Sequence, residues 1–163
     1  MFPRTRNPVM PIHYLVGDAT RPIGGGNRII AHVCNDVGKW GKGFVLAISK
    51  RWPQPQAEYL DFHARQSLKL GTVQLVQVEQ LIWVANMIVQ HDIVDHDGVP
   101  PIRCDALLGC LKTLALHAQE LRQSIHMPRI GCGLAGGRWE RIEPLITEAL
   151  PGTQVFVYDL PAS

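Results

Sequence analysis

The chain has 163 residues, 46% of them apolar and 18% charged, with 16 Lys and Arg against 14 Asp and Glu. This is the size and composition of one domain with its own core, and it excludes a disordered chain. A net charge of +2 excludes a protein that wraps nucleic acid mainly by charge, and leaves room for a small anion held by local dipoles.

Residues 1–11 contain three prolines and read as a flexible, extended tail. They hold no apolar stretch of the kind a secretory signal needs. The longest apolar runs, such as 81–89 with Asn86 inside it, are too short to span a membrane. Cys34, Cys104, Cys110 and Cys132 form no CxxC pair and read as reduced thiols of a cytoplasmic protein.

In chain order, short β-branched runs predict strands over 12–16 and 29–33. A short helix follows over 44–51. Two further strands, 73–78 and 82–89, are joined with almost no connection at Gln80, so they form an antiparallel hairpin. A long helix is expected over 105–121, where Leu108, Leu111, Ala115, Ala118 and Leu121 repeat at three- and four-residue steps. Then come a strand over 125–130, a helix over 139–150 and a strand over 155–158. Pro144 requires that last helix either to start near Arg141 or to bend. Most strands lack period-2 alternation, as expected of strands covered on both faces. The fold class is therefore α/β, with a mixed sheet.

Two strand-to-helix junctions are rich in glycine. One reads Cys34-Asn35-Asp36-Val37-Gly38-Lys39-Trp40-Gly41-Lys42-Gly43, and the other Gly131-Cys132-Gly133-Leu134-Ala135-Gly136-Gly137. Glycines let the backbone turn its N–H groups inward, and a helix start adds partial positive charge. Two such turns could grip two phosphates without a cage of lysines. Neither matches a P-loop or a dinucleotide fingerprint.

Val16-Gly17-Asp18-Ala19-Thr20, Ile30-Ala31-His32-Val33-Cys34-Asn35, Gly41-Lys42-Gly43 and Met127-Pro128-Arg129-Ile130, with the second glycine turn and Arg138-Trp139, together resemble the macrodomains. The final block resembles the subgroup containing the terminal ADP-ribose protein glycohydrolase and its bacterial relatives. The resemblance implies a single macrodomain over 12–163, built as three α/β/α layers around a mixed, mostly parallel sheet of about six strands. It also implies an ADP-ribose cleft above the strand ends. There Asp18 would accept from the adenine amino group, with the Ala19 N–H nearby and Tyr158 edging the base. Gly41, Lys42, Gly43, Phe44 and Val45 would line one side of the diphosphate and distal ribose. Ile130, Gly131, Cys132, Gly133, Leu134, Ala135 and Gly136 would close the other. Asn35 would meet the distal ribose hydroxyls. Local alternatives stand beside these roles. Asp18 and Asn35 could cap their own turns, Cys132 could be a small residue in a tight loop, and Tyr158 could be strand packing.

Three positions depart from the family's hydrolases. Gln90 stands where the resembled glycohydrolase has its lysine, Ala135 where it has its aspartate, and Val45 near the aspartate of the other hydrolase branch. Glutamine forms no Schiff base. The expected chemistry is hydrolysis of mono-ADP-ribose from acidic side-chain esters by a water that the substrate's own diphosphate orients. Asn35 and Gln90 are the catalytic positions and no cofactor is involved. The alternatives are a non-catalytic ADP-ribose reader and an ADP-ribose-1″-phosphate phosphatase. The expected partner is ADP-ribose or an ADP-ribosylated protein, with ADP-ribosylated nucleic-acid ends as a further substrate. No membrane contact is expected, and the chain is expected to be a monomer. The segment His91-Asp92-Ile93-Val94-Asp95-His96-Asp97-Gly98 has metal-ligating residue types at no recognisable spacing. It reads as a solvated, mobile loop beside Gln90, and no metal is expected.

Overall fold

The computed structural model describes residues 11–133 and 135–162. The chain runs β1 (His13–Val16), β2 (Arg28–Asn35), α1 (Phe44–Arg51), α2 (Gln54–Ala64), β3 (Val73–Glu79), β4 (Ile82–Gln90), α3 (Cys104–Leu121), β5 (Ser124–Met127), α4 (Trp139–Ala149) and β6 (Val155–Asp159). The strands form one sheet in the order β1-β6-β5-β2-β4-β3. Every neighbouring pair is parallel except the β3–β4 hairpin. The tail predicted over 1–11 lies almost wholly outside the described residues.

Side chains alternate across a strand, so β2 feeds two cores. Ile29 and Ala31 point to the face covered by α3 and α4, where Leu107, Leu111, Leu114, Ile142 and Ile146 are buried. Ile30 and Cys34 point to the face covered by α1 and α2, with Ile48, Trp52 and Tyr59. The unbroken burial of Val84 to Val89 along β4 is that of a strand covered on both sides.

The predicted elements are present, with two differences in β5 and α2, and with α4 starting before Arg141. The strand predicted over 125–130 ends at Met127, because Pro128 has no N–H to continue the ladder. α4 begins at Trp139 with Pro144 inside it. α2 was not predicted. It carries Pro55, and only Pro55 and Tyr59 are buried, so it shows almost no apolar stripe.

Buried polar groups dock α2 to the sheet. Asn86 is fully buried, and its Nδ2 donates to Pro55 O at 3.0 Å and to Gln74 Oε1 at 3.2 Å. Its Oδ1 therefore faces His32 Nε2 at 2.6 Å, which assigns that nitrogen as the donor. On β5, His126 lies between Ser124 Oγ at 2.8 Å and the Tyr158 hydroxyl at 2.7 Å. That hydroxyl also accepts the Ile23 N–H at 3.0 Å. No helix among the described residues is long and apolar enough to cross a membrane.

His32 and His126 are held neutral, each pushed down to about 4, in both cases first by burial; for His126 the charge of Arg28 adds to it. An unfolded imidazole titrates near 6.5. Between these values the unfolded chain binds more protons than the native one. Stability is thus expected to be full above about pH 6.5 and to fall toward pH 4, by roughly 3 kcal/mol for each histidine at most. Urea midpoints measured across this range check it; a flat profile would show that neither histidine is kept neutral.

Candidate functional site

β5 and β2 are neighbours, yet the chains leaving them go to opposite faces. β2 leads into α1 on one face, and β5 leads into α4 on the other. Such a switch point opens a crevice at the carboxyl ends of the strands. Here it deepens because β5 pairs with β2 only as far as Ile30, while β2 continues to Asn35.

Loop 1, residues 36–43, forms one wall. Gly43 sits at φ 80° just before α1, and no side chain caps that helix. The N–H groups of Gly41, Lys42, Gly43, Phe44 and Val45 have no acceptor among the described residues. Loop 2, residues 128–137, forms the other wall. Its Gly137 N–H bonds Gly131 O at 2.7 Å, and a Cβ on Gly137 would lie 2.5 Å from that same oxygen. The hairpin closes that tightly only with glycine there. The N–H groups of Gly136 and Gly137 are thus spent within the loop, whereas those of Gly131, Cys132, Gly133 and Ala135 have no acceptor among the described residues. The crevice therefore presents unpaired main-chain donors from two sides.

The side chains sort into those that face the crevice and those that hold it. Asp18 follows β1. Its Oδ1 accepts from the Thr20 N–H and hydroxyl at 2.8 and 2.7 Å, forming a turn, and its Oδ2 has no donor among the described residues. Both readings of Asp18 are thus compatible, one for each oxygen. Lys42 is exposed and makes no ion pair among the described residues. Gln90 is half-buried at the end of β4. Its main chain accepts the Asp36 N–H at 2.9 Å, while its side-chain amide has no partner among the described residues.

The other expected contact residues are placed as follows. Asn35 is 7% exposed. Its Oδ1 accepts from the N–H groups of Val37 and Lys39, both at 3.1 Å, and from the Tyr59 hydroxyl at 2.7 Å. Its Nδ2 donates to Lys39 O at 2.7 Å. It shapes loop 1, and little of it is left to meet a ribose hydroxyl. Tyr158 is buried and spends its hydroxyl on Ile23 and His126, so it supports the Gly17 turn from beneath. Ala19, Ile130 and Ala135 are also buried. Ile130 and Ala135 anchor loop 2 in the core beside α3 and α4. Phe44 and Val45 are half-buried against Trp40 and Ile48, which leaves their N–H groups as what they offer. Leu134 lies outside the described residues.

Cys132 is not activated. Its thiol lies 3.5 Å from Ile130 O, and burial raises its pKa. Arg129 is committed elsewhere. It grips Asp159 with two bonds of 2.7 and 3.0 Å, which holds that carboxyl below the usual range. Two clefts of about 600 and 570 Å³ are also present, one at the amino ends of the strands around Ile23 and Arg28, the other between Pro100 and Arg141, where it is lined by Gly136 and Gly137 of loop 2 and by neither loop 1 nor Asp18. The crevice is preferred to both because it holds the unpaired donors.

The segment His91–Gly98 is largely exposed, and the chain from His91 to Ile102 is tied at its two ends. His91 Nδ1 lies 2.8 Å from Asp36 Oδ2 in loop 1, and the Ile102 N–H donates to Ala135 O in loop 2 at 3.1 Å. Sequence reasoning missed this tie because its partners lie 55 residues apart and no local pattern marks them. Among the described residues no three His, Cys, Asp or Glu side chains form a metal-binding group.

A model described as "Macro domain" matches residues 31–146. A structure from Bacteroides thetaiotaomicron, described as a protein of unknown function, is 54% identical with a TM-score of 0.91, over 93% of this chain and 99% of that one. A macrodomain protein from Streptomyces coelicolor is 51% identical with a TM-score of 0.81, over 91% and 99%. Chromodomain-helicase-DNA-binding protein 1-like of Mus musculus is 31% identical over 93% of this chain, which spans only 18% of that protein's length. More distant relatives are an ADP-ribose 1″-phosphate phosphatase of Candida albicans, 28% identical over 84% of this chain and 92% of its own, and a DNA ADP-ribosyl glycohydrolase of Thermus aquaticus, 28% identical over 80% and 37%. The architecture, the paired glycine loops and these matches together make the chain a member of the macrodomain family, an ADP-ribose-binding family.

Proposed function

We propose that this macrodomain binds ADP-ribose across its strand ends and hydrolyses mono-ADP-ribose from acidic side chains of modified proteins. The observation that supports the reading is the pair of glycine loops that follow the neighbouring strands β2 and β5, each with N–H groups that have no acceptor among the described residues. Asp18, at β1, takes the adenine end through its free oxygen. The loops after β5 and β2 take the diphosphate. The distal ribose lies toward Gln90, at β4. The strand order β1-β6-β5-β2-β4 thus follows the order base, diphosphate, ribose.

A carboxylate ester is a good leaving group and needs little acid assistance. With no lysine at position 90 or aspartate at position 135, the reaction draws on positioning and on the substrate's own diphosphate, which orients a water toward the anomeric carbon. Positioning of this kind lowers a barrier by several kcal/mol. In this reading the protein is a monomer of the reducing cytoplasm, in keeping with four unpaired cysteines, and it stands with the terminal ADP-ribose protein glycohydrolase subgroup. A phosphatase reading has its own support in the Candida albicans relative, which is matched over 92% of its length.

Titration calorimetry with ADP-ribose, ADP and AMP is expected to give a micromolar constant for ADP-ribose, weakened at least tenfold by Asp18→Ala. Incubation with a Glu-modified protein should release ADP-ribose. Release of phosphate from ADP-ribose-1″-phosphate in its place would favour the phosphatase, and tight binding with neither product would make the chain a reader. The loops can be tested separately. Gly41 and Gly133 have open space where a Cβ would stand. Gly41→Ala and Gly133→Ala are expected to leave the melting temperature within about a degree and to weaken ADP-ribose binding several-fold. Unchanged affinity in both would place the ligand elsewhere.

A further inference from the structure

Asp36 and His91 make a pairing that the reading above does not use. Asn35 and Gln90 are register partners at the ends of β2 and β4, so Asp36 and His91 are the first residues beyond each strand. The Asp36 carboxylate is mostly buried and fully engaged: its side chain is 16% exposed. Its Oδ1 accepts the Asp92 N–H at 2.8 Å, and its Oδ2 faces His91 Nδ1 at 2.8 Å. The Asp36 N–H is held by Gln90 O and the His91 N–H by Pro101 O, each at 2.9 Å. The imidazole is thus fixed from both its main chain and its ring, yet half of its surface is open. Its Nε2 has no partner among the described residues.

A carboxylate on Nδ1 keeps the proton there and leaves Nε2 as a lone-pair acceptor, the arrangement that makes histidine a base. Among the described residues, the ionisable groups that face His91 are Asp36 from loop 1, and Asp92 and His96 from its own segment, the His96 ring centroid at 5.7 Å. His96 is itself bonded to Asp92 at 3.0 Å, which leaves Asp36 as the partner of His91. The pair stands just beyond the carboxyl ends of β2 and β4, beside Gln90, toward which the distal ribose lies in the function proposed above.

We propose that His91 is the general base of the hydrolysis and that Asp36 is its positioning residue. The inference rests on the hydrolase reading. A water attacks the anomeric carbon of the distal ribose, and its proton passes to His91 Nε2. The bond from that carbon to the ester oxygen breaks, and its electron pair leaves with the carboxylate. The new C–O bond makes the hydroxyl of free ADP-ribose. The imidazolium then returns its proton to solvent. Asp36 keeps Nδ1–H throughout and stabilises the transient positive charge.

The alternative is that the pair only latches two loops together. His91→Asn separates the two, because an asparagine Nδ2 can still donate to Asp36 but offers no basic nitrogen. Release of ADP-ribose from a Glu-modified protein is followed as kcat and KM across pH 5 to 8, with ADP-ribose affinity measured by calorimetry. The expected result is a fall in kcat of about a hundredfold or more, with KM and affinity within threefold and loss of the acidic limb of the wild-type kcat profile. Asp36→Asn should lower kcat in the same direction. Wild-type kcat retained in His91→Asn, or a loss explained by KM and affinity alone, overturns the base assignment and leaves the hydrolase reading standing. A wild-type protein that binds ADP-ribose but releases none at any pH overturns both.

Discussion

Main-chain hydrogen bonding decides where this fold can act. Every strand-to-helix turn must place its N–H groups somewhere, and most turns bond them internally. At the ends of β2 and β5 the two chains depart to opposite faces, and the glycine turns leave several N–H groups without acceptors among the described residues. Unpaired donors on two neighbouring loops suit an acceptor-rich anion. Much else in the molecule holds that arrangement. Tyr59 and Asn35 shape loop 1, while Ile130, Ala135 and the Ile102 N–H seat loop 2.

The same logic explains how a chain of net charge +2 can be built around a doubly charged ligand. Dipoles fixed by the fold need no reorganisation and no desolvated cations. The nearby cations are consistent with this. Arg129 is neutralised by Asp159 and also lies over the rings of Tyr14 and Trp139, at 5.1 and 5.3 Å. Lys42 remains as an exposed charge at the rim. Affinity in this arrangement depends on the exact course of two loops, and so on the buried residues beneath them.

Much of the fold was legible because burial leaves a mark on the sequence. The runs in β2 and β4 are apolar on both faces, and α3 has a regular stripe. The glycine turns were legible for a related reason, since close approach and positive φ both call for glycine. What escaped was set by contacts distant in sequence or by main-chain chemistry. α2 docks through Asn86 and Gln74 rather than an apolar face. β5 stops at a proline. At the site, side-chain identity left Asn35 and Tyr158 open between two roles, because a polar residue next to a binding loop is equally suited to building that loop, and the bonds both make are of that second kind. The two oxygens of Asp18 divide between both tasks. The Asp36–His91 pair had no local signature, and only the shared ending of β2 and β4 brings it together.

The central claim is that unpaired amides of the two loops clasp the diphosphate, with side-chain charge secondary. Titrating ¹⁵N-labelled protein with ADP-ribose tests it most directly. The account predicts that the amide signals of Gly41 to Val45 and of Cys132 and Gly133 shift together on one saturation curve. It also predicts that Lys42→Ala moves that curve by less than about threefold. Shifts confined to the residues around Ile23 and Arg28, with both loops unmoved, would contradict it.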